Sequence, residues 1–319
     1  MRVVFFGTPE FAVPSLRALV GEGFDVVGVV TQPDAPQGRS RSKVVPPPVK
    51  VVAEAEDLSV FQPNKPSDGD FLIRLRETKP DIGVVVAYGH ILKPELLELP
   101  PRGMLNVHPS LLPGLRGAAP VEWAIIRGFE TTGVSIMLMD AGMDSGPVLH
   151  QIPHRIDSDI TGGELSGHLA EMGAQALIET LSMLEQSDPP PKPVPQNQGR
   201  ATFAPKLTRE IARIDWMKDA VSIGRLIRGL DPRPGAWTEL KGVEVKLFSP
   251  HITAPPFPGT GAPGEVLAVD GSLVIASGPF QDAGGGVVEV FEVQPAGKAR
   301  MTTDDWLRGA RLKPGARFT

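Results

Sequence analysis

Three side chains of the kinds used in proton transfer and oxyanion stabilisation stand where two apolar runs of the sequence end. Asn106 and His108 close the run that starts at Gly103, and Asp144 lies in the turn-rich stretch after Val134–Met139. An amide and an imidazole can donate hydrogen bonds to a developing oxyanion, and a carboxylate can orient the imidazole and help to move a proton. The pattern therefore predicts a catalytic site built from Asn106, His108 and Asp144.

The segment that carries His108 is short and stiff. Strand side chains alternate between the two faces of a sheet, so Asn106 and His108 project to the same side. Pro109 disfavours helical backbone at His108, and Pro113 acts in the same way on the residue before it. We therefore expect an extended His108 followed by a constrained bend.

The carboxylate has to be brought to the imidazole by a neighbouring strand. The run Val134–Met139 has the pattern of a buried strand, and the loop after it carries Asp140 and Asp144. If this strand runs parallel to the one before His108, its loop lies beside the imidazole. An Asp that begins a turn often accepts a hydrogen bond from its own backbone, so we expect Asp140 to cap the loop.

Composition limits the class of protein. With 319 residues, 41% of them hydrophobic, we expect two domains with their own cores. The apolar run after Met1 is too short for a signal peptide, and no run approaches the roughly 18 residues of a membrane helix, so the cytoplasm is the default expectation. The absence of cysteine excludes disulfides and cysteine nucleophiles, and the six scattered histidines show no metal-binding spacing, so we expect no metal.

Residues 1–189 alternate strand and helix patterns, which predicts a doubly wound, mostly parallel, Rossmann-like α/β domain. The predicted strands are Arg2–Gly7, Asp25–Thr31, Asp81–Ala87, Met104–His108 and Val134–Met139. The predicted helices are Glu10–Val20, Val49–Ala55, Gly69–Glu77, Ala119–Arg127 and a long one from about Gly163 to Met183, capped by Thr161.

The proline-rich residues 190–205 are predicted to form an extended linker. Residues 206–319 then show one helix near Ala220–Leu230 and several short alternating runs, with Asp270-Gly271 as a tight-hairpin signal. We expect a small C-terminal β-barrel, similar to an oligonucleotide-binding (OB) fold. The net charge is −5 overall but +2 from Lys206 onward, so this second domain is the better place for a polyanion.

Several motifs resemble the methionyl-tRNA formyltransferase family, and the resemblance runs nearly end to end. They are Phe6–Ala12, Thr31–Asp34, Asn106–Pro113, Arg116–Pro120, Asp140–Gly146, Ala204–Leu207, Ala212–Trp216 and Gln294–Lys298. The resemblance implies that the first domain is the catalytic domain shared with glycinamide ribonucleotide and amino-sugar formylating enzymes. It implies that the barrel helps to hold tRNA.

The implied reaction transfers the formyl group of 10-formyltetrahydrofolate to the α-amine of methionine on initiator tRNA, for translation initiation. By resemblance, Asn106 and His108 donate hydrogen bonds to the formyl oxygen as negative charge builds on it. Asp144 would orient the imidazole, favour its protonated form and help to relay the proton of the amine. The reaction requires no covalent enzyme intermediate.

The resemblance also implies binding residues. Ser110, Leu111, Leu112 and Pro113 are expected to contact folate, although an ordinary turn would need no ligand. The expected tRNA contacts are Arg39, Arg41 and Lys43 in the loop Gln32–Lys50, together with Lys206 and Arg209 in the barrel. For these charges a merely solvated surface is the alternative interpretation.

Three other functions are weighed against this one. A dinucleotide-binding oxidoreductase would need a G-x-G-x-x-G motif after the first strand, and Gly7-Thr8-Pro9-Glu10 stands there instead. A non-catalytic RNA-binding protein would leave Asn106, His108 and Asp144 without a purpose. An amino-sugar or other small-amine formyltransferase shares the first domain, and the junction Lys206–Trp216 is the feature against it. We expect a monomer that binds initiator methionyl-tRNA and folate.

Overall fold

The computed structural model describes residues 1–37, 43–253, 261–280 and 283–319. The chain divides into two compact units. The first, which we call the sheet unit, comprises Met1–Pro120, Thr131–Arg155 and Ser166–Ala204. The second, the barrel unit, comprises Val121–Glu130, Ile156–Leu165 and Pro205–Thr319.

The strands and helices follow each other closely along the chain. The strands are β1 (Arg2–Gly7), β2 (Asp25–Val30), β3 (Ala35–Gln37), β4 (Lys43–Val45), β5 (Val60–Phe61), β6 (Ile82–Val86), β7 (Met104–His108), β8 (Arg116–Gly117), β9 (Thr131–Leu138), β10 (Val148–Arg155), β11 (Phe203–Ala204), β12 (Ala236–Leu240), β13 (Val243–Thr253), β14 (Val266–Ala268), β15 (Leu273–Phe280), β16 (Ala283–Pro295) and β17 (Met301–Thr302). The helices are α1 (Val13–Gly21), α2 (Pro48–Ala55), α3 (Gly69–Glu77), α4 (Pro94–Leu97), α5 (Pro120–Ile126), α6 (Gly162–Gln186), α7 (Ala220–Gly229) and α8 (Thr303–Ala310).

Seven strands of the described residues form the main sheet, in the order β10-β9-β7-β6-β1-β2-β5. The neighbouring strands β7, β6, β1 and β2 are parallel, as the predicted mostly parallel sheet requires, and β5, which the sequence did not predict, runs parallel to β2. The central strands β1 and β6 are almost completely buried, which explains their continuous apolar sequences. The α/β fold class expected from the sequence is therefore confirmed for this unit.

The prediction that the strand after β7 runs parallel to it is wrong. β9 runs antiparallel to β7, with Leu138 beside Leu105 and Ser135 beside His108. A parallel strand needs a connection that crosses the sheet and returns to its starting end. The connection after β7 instead contains α5, of which Val121–Ile126 belongs to the barrel unit, so the chain re-enters the sheet at the edge where β7 ends.

Most predicted helices lie within a residue or two of their expected bounds. α3 has the predicted bounds, and the side chain of Asp68 caps it by accepting from the backbone N–H of Asp70. The predicted helix from Glu10 begins with a 3-10 turn, because Pro14 stands at the start of the α-helix proper. At α6, Thr161 forms the predicted cap together with Glu164. None of the described helices is both long enough and apolar enough to span a membrane.

Edge strand β10 was not anticipated from the sequence. It pairs antiparallel with β9 and alternates half-buried with exposed residues. Its sequence contains several polar side chains, among them His150, Gln151 and His154. It therefore lacks the clear apolar alternation by which a half-buried strand is predicted.

The barrel unit contains an antiparallel sheet in the order β12-β13-β16-β15-β14, with β17 on β16. The predicted hairpin at Asp270-Gly271 joins β14 to β15, with Gly271 at a φ of 70°. The terminal residues close the sheet, since Phe318 pairs with Leu240 of β12 and Arg317 pairs with Glu265 beside β14. This closure produces the small barrel that the sequence predicted.

Candidate active site

Asn106 and His108 lie near the carboxyl ends of the parallel strands. Asn106 stands between Val85 of β6 and Met137 of β9, and His108 stands beside Ser135. His108 is 4% exposed, whereas Asn106 is half-buried. Within the described part of the chain, no hydrogen bond joins the Asn106 amide to another residue, so its donor is available.

The structure brings Asp144 to His108. The Nδ1 atom of the imidazole lies 3.7 Å from the Oδ2 atom of Asp144, and the Nε2 atom lies 3.1 Å from the carbonyl oxygen of Leu115. Asp144 Oδ2 also accepts a hydrogen bond of 2.8 Å from the backbone N–H of Gly117. Because β9 ends level with Leu105, the loop after it must fold back along β7 for this contact to form.

The proton on the imidazole is located by its surroundings. Burial lowers the pKa of His108 below its ordinary value of 6.5, Asp144 and the Leu115 carbonyl oppose this effect, and the charge of Arg116 adds to it. Asp144 acts in the direction predicted from the sequence, but burial is the larger effect, so the resting imidazole is neutral at pH 7. A carbonyl only accepts hydrogen bonds, so the Nε2 atom carries the proton and Nδ1, facing Asp144, is the basic atom.

The loop that carries Asp144 is held from within, as predicted for Asp140. The carboxylate of Asp140 accepts hydrogen bonds from the backbone N–H of Gly142 and the hydroxyl of Ser145. Asp144 itself adopts a left-handed backbone with a φ of 48°, which a non-glycine residue adopts only where its surroundings impose it.

A second support for this loop was missed by the sequence analysis. The side-chain amide of Gln196 donates to the carbonyl oxygens of Asp144, at 2.9 Å, and Gly146, at 2.7 Å. Its oxygen accepts from the buried guanidinium of Arg116, which also donates to Gln198. A glutamine 52 residues away from the aspartate gives no local signal in the sequence, and only the fold brings the two together.

The turn after His108 satisfies its own polar groups. The hydroxyl of Ser110 donates to the carbonyl oxygen of Gly114 at 2.6 Å. Ser135 donates to the Ser110 carbonyl and accepts from the Leu112 N–H, and Gln151 donates to the Leu112 carbonyl. The Ser110 hydroxyl, expected to face folate, is therefore already engaged, and the side chains of Ser110 and Leu112 are buried. Leu111 and Pro113 are half-buried.

Exposed apolar side chains lie in the loops that follow the strands of the site. Ile91, after β6, is 90% exposed, and Met143, next to Asp144, is 64% exposed. The Met143 sulfur would lie 3.7 Å from a Cβ atom at Gly117, the residue that donates to Asp144. Large exposed apolar groups beside a polar site are typical of ligand contacts.

The structure describes only some of the residues that were expected to bind tRNA. Arg39 and Arg41 lie outside the described residues, and Lys43 belongs to β4, where its side chain is not described. Lys206 is exposed. Arg209 pairs with Glu244 at 2.6 Å and lies over the ring of Trp237, 4.2 Å from its centroid.

Two other basic side chains, one in each unit, form ion pairs within the protein. Lys50 pairs with Asp34 at 2.9 Å. Arg300 pairs with Asp231 and Glu292, which links the loop before β12 to β16.

Within the described residues, no three His, Cys, Asp or Glu side chains form a group that could hold a metal ion.

Comparison with known proteins covers both halves of the chain. The family model described as formyl transferase matches residues 1–181, and the model for the formyl transferase C-terminal domain matches residues 206–311. The N-formyltransferase from Helicobacter canadensis, solved with folinic acid and dTDP-3-aminofucose, has a TM-score of 0.67 at 18% identity, covering 90% of this chain and 98% of that one. HypX from Aquifex aeolicus, in complex with tetrahydrofolic acid, has a TM-score of 0.64 at 21% identity, covering 98% of this chain and 48% of that one.

These two structures are similar in fold, and nearer relatives in sequence define the family. The methionyl-tRNA formyltransferase of Symbiobacterium thermophilum is 45% identical over 319 residues, which cover 100% of this chain and 95% of that protein. The methionyl-tRNA formyltransferase of Desulforamulus reducens is 44% identical over 316 residues, which cover 99% and 96%. The chain therefore belongs to the methionyl-tRNA formyltransferase family.

Proposed function

We propose that this protein transfers the formyl group of 10-formyltetrahydrofolate to the α-amine of methionyl initiator tRNA, giving the formylated tRNA used in translation initiation. The observation that carries the proposal is the pairing of His108 with Asp144 near the Asn106 amide, which has no hydrogen-bond partner among the described residues, in a chain whose two halves both match this family. A non-catalytic RNA-binding protein would not need this arrangement.

His108 moves the proton in the proposed reaction. Its Nδ1 atom is unprotonated in the resting protein, because the Nε2 proton is held by the Leu115 carbonyl. Nδ1 can therefore accept the proton that the α-amine loses on attacking the formyl carbon, and return it to the folate nitrogen that leaves. The transient imidazolium carries a positive charge 3.7 Å from the carboxylate of Asp144, which stabilises it.

Asn106 acts on the opposite charge. The carbonyl oxygen of the formyl group becomes negative as the amine adds, and a fixed amide donor at this position stabilises the oxyanion without reorganising. Asn106 lies two residues before His108 on the same strand and has its donor free among the described residues. The sequence analysis gave the oxyanion to Asn106 and His108 together and the proton of the amine to Asp144. The proposal here leaves the oxyanion to Asn106, gives the proton to His108 and keeps Asp144 as the group that stabilises the imidazolium.

The residues around the site fit a folate-derived donor. A pteridine ring is flat, with faces that pack on apolar side chains and a polar edge that forms hydrogen bonds, for which backbone groups are suited. Ile91 and Met143 offer exposed apolar surface in the loops that flank β7. Leu111 and Pro113 add half-buried apolar atoms. Ser110 and Leu112 are buried, and their hydrogen bonds stabilise the turn.

We assign the two tasks to the two parts of the chain. Residues 1–189 carry the chemistry, residues 190–205 connect, and residues 206–319 bind tRNA through their positive charge. Arg39, Arg41, Lys43, Lys206 and Arg209 are kept as proposed tRNA contacts. The exposure of Lys206 supports this assignment for the barrel.

The test is transfer of labelled formyl from 10-formyltetrahydrofolate to three acceptors supplied separately. They are charged initiator tRNA, a nucleotide-linked amino sugar and glycinamide ribonucleotide. We expect transfer to the charged tRNA alone. Transfer to one of the small amines but not to the tRNA would assign the chain to another formylation reaction, and transfer to none would contradict a catalytic role.

A further inference from the structure

Two arginines of α7 lie side by side in the barrel unit. Arg225 and Arg228 are one turn apart on the helix, and both are half-buried. Burial, and after it the charge of Arg225, lowers the pKa of Arg228, while Asp159 opposes the shift. Like charges one turn apart destabilise a helix, so the fold tolerates a repulsion here that a neutral side chain would relieve.

Each of the two guanidinium groups contacts backbone. Arg228 Nη1 donates to the carbonyl oxygen of Ile160 at 3.1 Å. The guanidinium of Arg225 packs directly on Gly128, where a Cβ atom would overlap Arg225 Cζ. Gly128 also has a φ of 70°, so both its conformation and its missing side chain permit the approach.

A third arginine of the barrel unit lies in the segment against which Arg225 packs. Arg127, adjacent to Gly128, lies 4.7 Å from the centroid of the Trp123 ring. Trp123 is fixed in turn, since its Nε1 atom donates to the carbonyl oxygen of Pro205 at 2.8 Å. We call Arg127, Arg225 and Arg228 the arginine surface.

The positive charge of the arginine surface is not cancelled at Arg225 and Arg228. Among the described residues, neither of these two side chains forms an ion pair with a carboxylate, and Asp159 acts on Arg228 only from a distance. Elsewhere in the same unit, Arg209, Arg300 and Arg308 each have a carboxylate partner. Clustered and preoriented guanidinium groups suit phosphate, which accepts their paired N–H donors.

We propose that the arginine surface binds the phosphodiester backbone of the acceptor RNA. The proposal rests on the proposed function, because that function supplies the RNA. Arg225 and Arg127 contact phosphate oxygens, and Arg228, the more constrained side chain, strengthens the local positive field. The contact is independent of base sequence, since it reads only the backbone. None of these three residues was among the tRNA contacts expected from the sequence.

The test compares Arg225→Gln with Arg308→Gln. Both variants remove one positive charge from the barrel unit, but Arg308 lies on α8, is 70% exposed and pairs with Asp304. Kinetics on charged initiator tRNA are measured at several salt concentrations, and binding of the folate donor is measured separately. For Arg225→Gln we expect the KM for tRNA to rise about fivefold to tenfold with kcat and folate binding nearly unchanged. The slope of log kcat/KM against log salt should become shallower by about one.

Arg225→Lys separates phosphate binding from a structural role. It keeps the charge and loses the planar fork, so we expect it to keep the wild-type salt slope and to show an intermediate KM. The proposal is overturned if Arg225→Gln matches Arg308→Gln in both KM and salt slope. It is also overturned if the Gln and Lys variants lose kcat and thermal stability together while the slope stays at the wild-type value. Failure of the wild-type protein to formylate charged tRNA would instead reject the proposed function itself.

Discussion

At the residue scale, the chemistry depends on where one proton sits. Both nitrogens of His108 face oxygen acceptors, the Leu115 carbonyl at 3.1 Å and the Asp144 carboxylate at 3.7 Å. Burial nevertheless keeps the pKa of the ring below 6.5. The site thus combines a neutral resting base with a carboxylate ready to stabilise its protonated form, which is the combination that a proton shuttle requires.

The first residue-scale prediction concerns Asp144→Asn. The substitution keeps the shape of the side chain and removes the charge that raises the pKa of His108. The pKa of His108 should therefore fall further, and the acid limb of the pH profile of kcat/KM should move to lower pH. The turnover rate should also fall by about 10²-fold, because the imidazolium formed during transfer loses its counter-charge.

The measurement is the pH dependence of formyl transfer between about pH 5 and 8, the range in which histidine titrates. Asp140→Asn is the matched control, because Asp140 holds Gly142 and Ser145 and does not touch His108. An acid limb that stays in place, or moves to higher pH, in Asp144→Asn would remove Asp144 from the proton transfer.

The placement of the residues around His108 was predictable to an unequal degree. Asn106 and His108 alternate on one strand, and the proline after His108 marks the turn, so short-range rules were sufficient for them. Asp140 followed from turn chemistry in the same way. The protonation state was not accessible, because it depends on burial, which is a property of the folded chain. Ser135 and Gln196 were missed because their partners are distant in sequence.

At the element scale, the loop between β9 and β10 is held in place by a side-chain network. Gln196 connects three parts of it, the carbonyls of Asp144 and Gly146 and the guanidinium of Arg116. Arg116 is 4% exposed, and its partners are the neutral amides of Gln196 and Gln198. The network therefore determines how firmly the carboxylate of Asp144 is positioned.

The element-scale prediction compares Gln196→Ala with Gln198→Ala. Each variant removes an acceptor of the buried Arg116, so each should lose about 1–3 kcal/mol of the free energy of unfolding. Only Gln196→Ala also frees the Asp144 loop. We expect its kcat to fall about tenfold with little change in the KM for tRNA, and Gln198→Ala to keep nearly normal kcat, because a misplaced group of the site costs rate rather than affinity.

Chemical denaturation and steady-state kinetics on the two variants check this prediction together. Equal kcat values for the two proteins would mean that the loop holds its shape without Gln196. A loss of stability without any loss of rate in Gln196→Ala would give the network a purely structural role.

Element boundaries were more predictable than element directions. β1, β7 and α3 have the bounds expected from apolar periodicity and capping. The direction of β9 was predicted incorrectly, because the rule for parallel connections assumes that the intervening helix covers the sheet. Most of α5 packs in the other unit, and nothing in its own sequence reports this.

At the scale of the whole molecule, the two units are not two consecutive stretches of chain. The barrel unit includes Val121–Glu130 and Ile156–Leu165 in addition to the residues from Pro205 onward. A truncation after the predicted linker would therefore strip α5 of part of its own unit. A cut made before residue 196 would in addition remove Gln196, which holds the Asp144 loop. Salt dependence in the intact protein separates the two binding tasks more cleanly.

The whole-molecule prediction is that salt affects the two substrates differently. Contacts to tRNA phosphates release counterions, so kcat/KM for charged tRNA should fall steeply as salt rises. The dissociation constant of the folate donor should change much less, because a folate carries only the carboxylates of its glutamate whereas tRNA presents many phosphates. The positive charge after Lys206, in a chain that is negative overall, supports this division.

Parallel titrations with potassium chloride and with potassium glutamate check this division. The second salt keeps the cation concentration and replaces the anion, which identifies effects specific to chloride. A similar salt dependence for folate and for tRNA would contradict the assignment of tRNA binding to the basic surfaces of the barrel unit.

The central claim is that His108, assisted by Asp144 and Asn106, carries the proton in formyl transfer to charged initiator tRNA. Its most direct test is a single-turnover measurement with excess enzyme, in which labelled formyl passes from 10-formyltetrahydrofolate to the tRNA in wild type and in His108→Ala. We predict a rate at least about 10²-fold lower in the variant, with tRNA and folate affinities near those of the wild type. A variant that transfers formyl at a rate close to the wild-type rate would contradict the account.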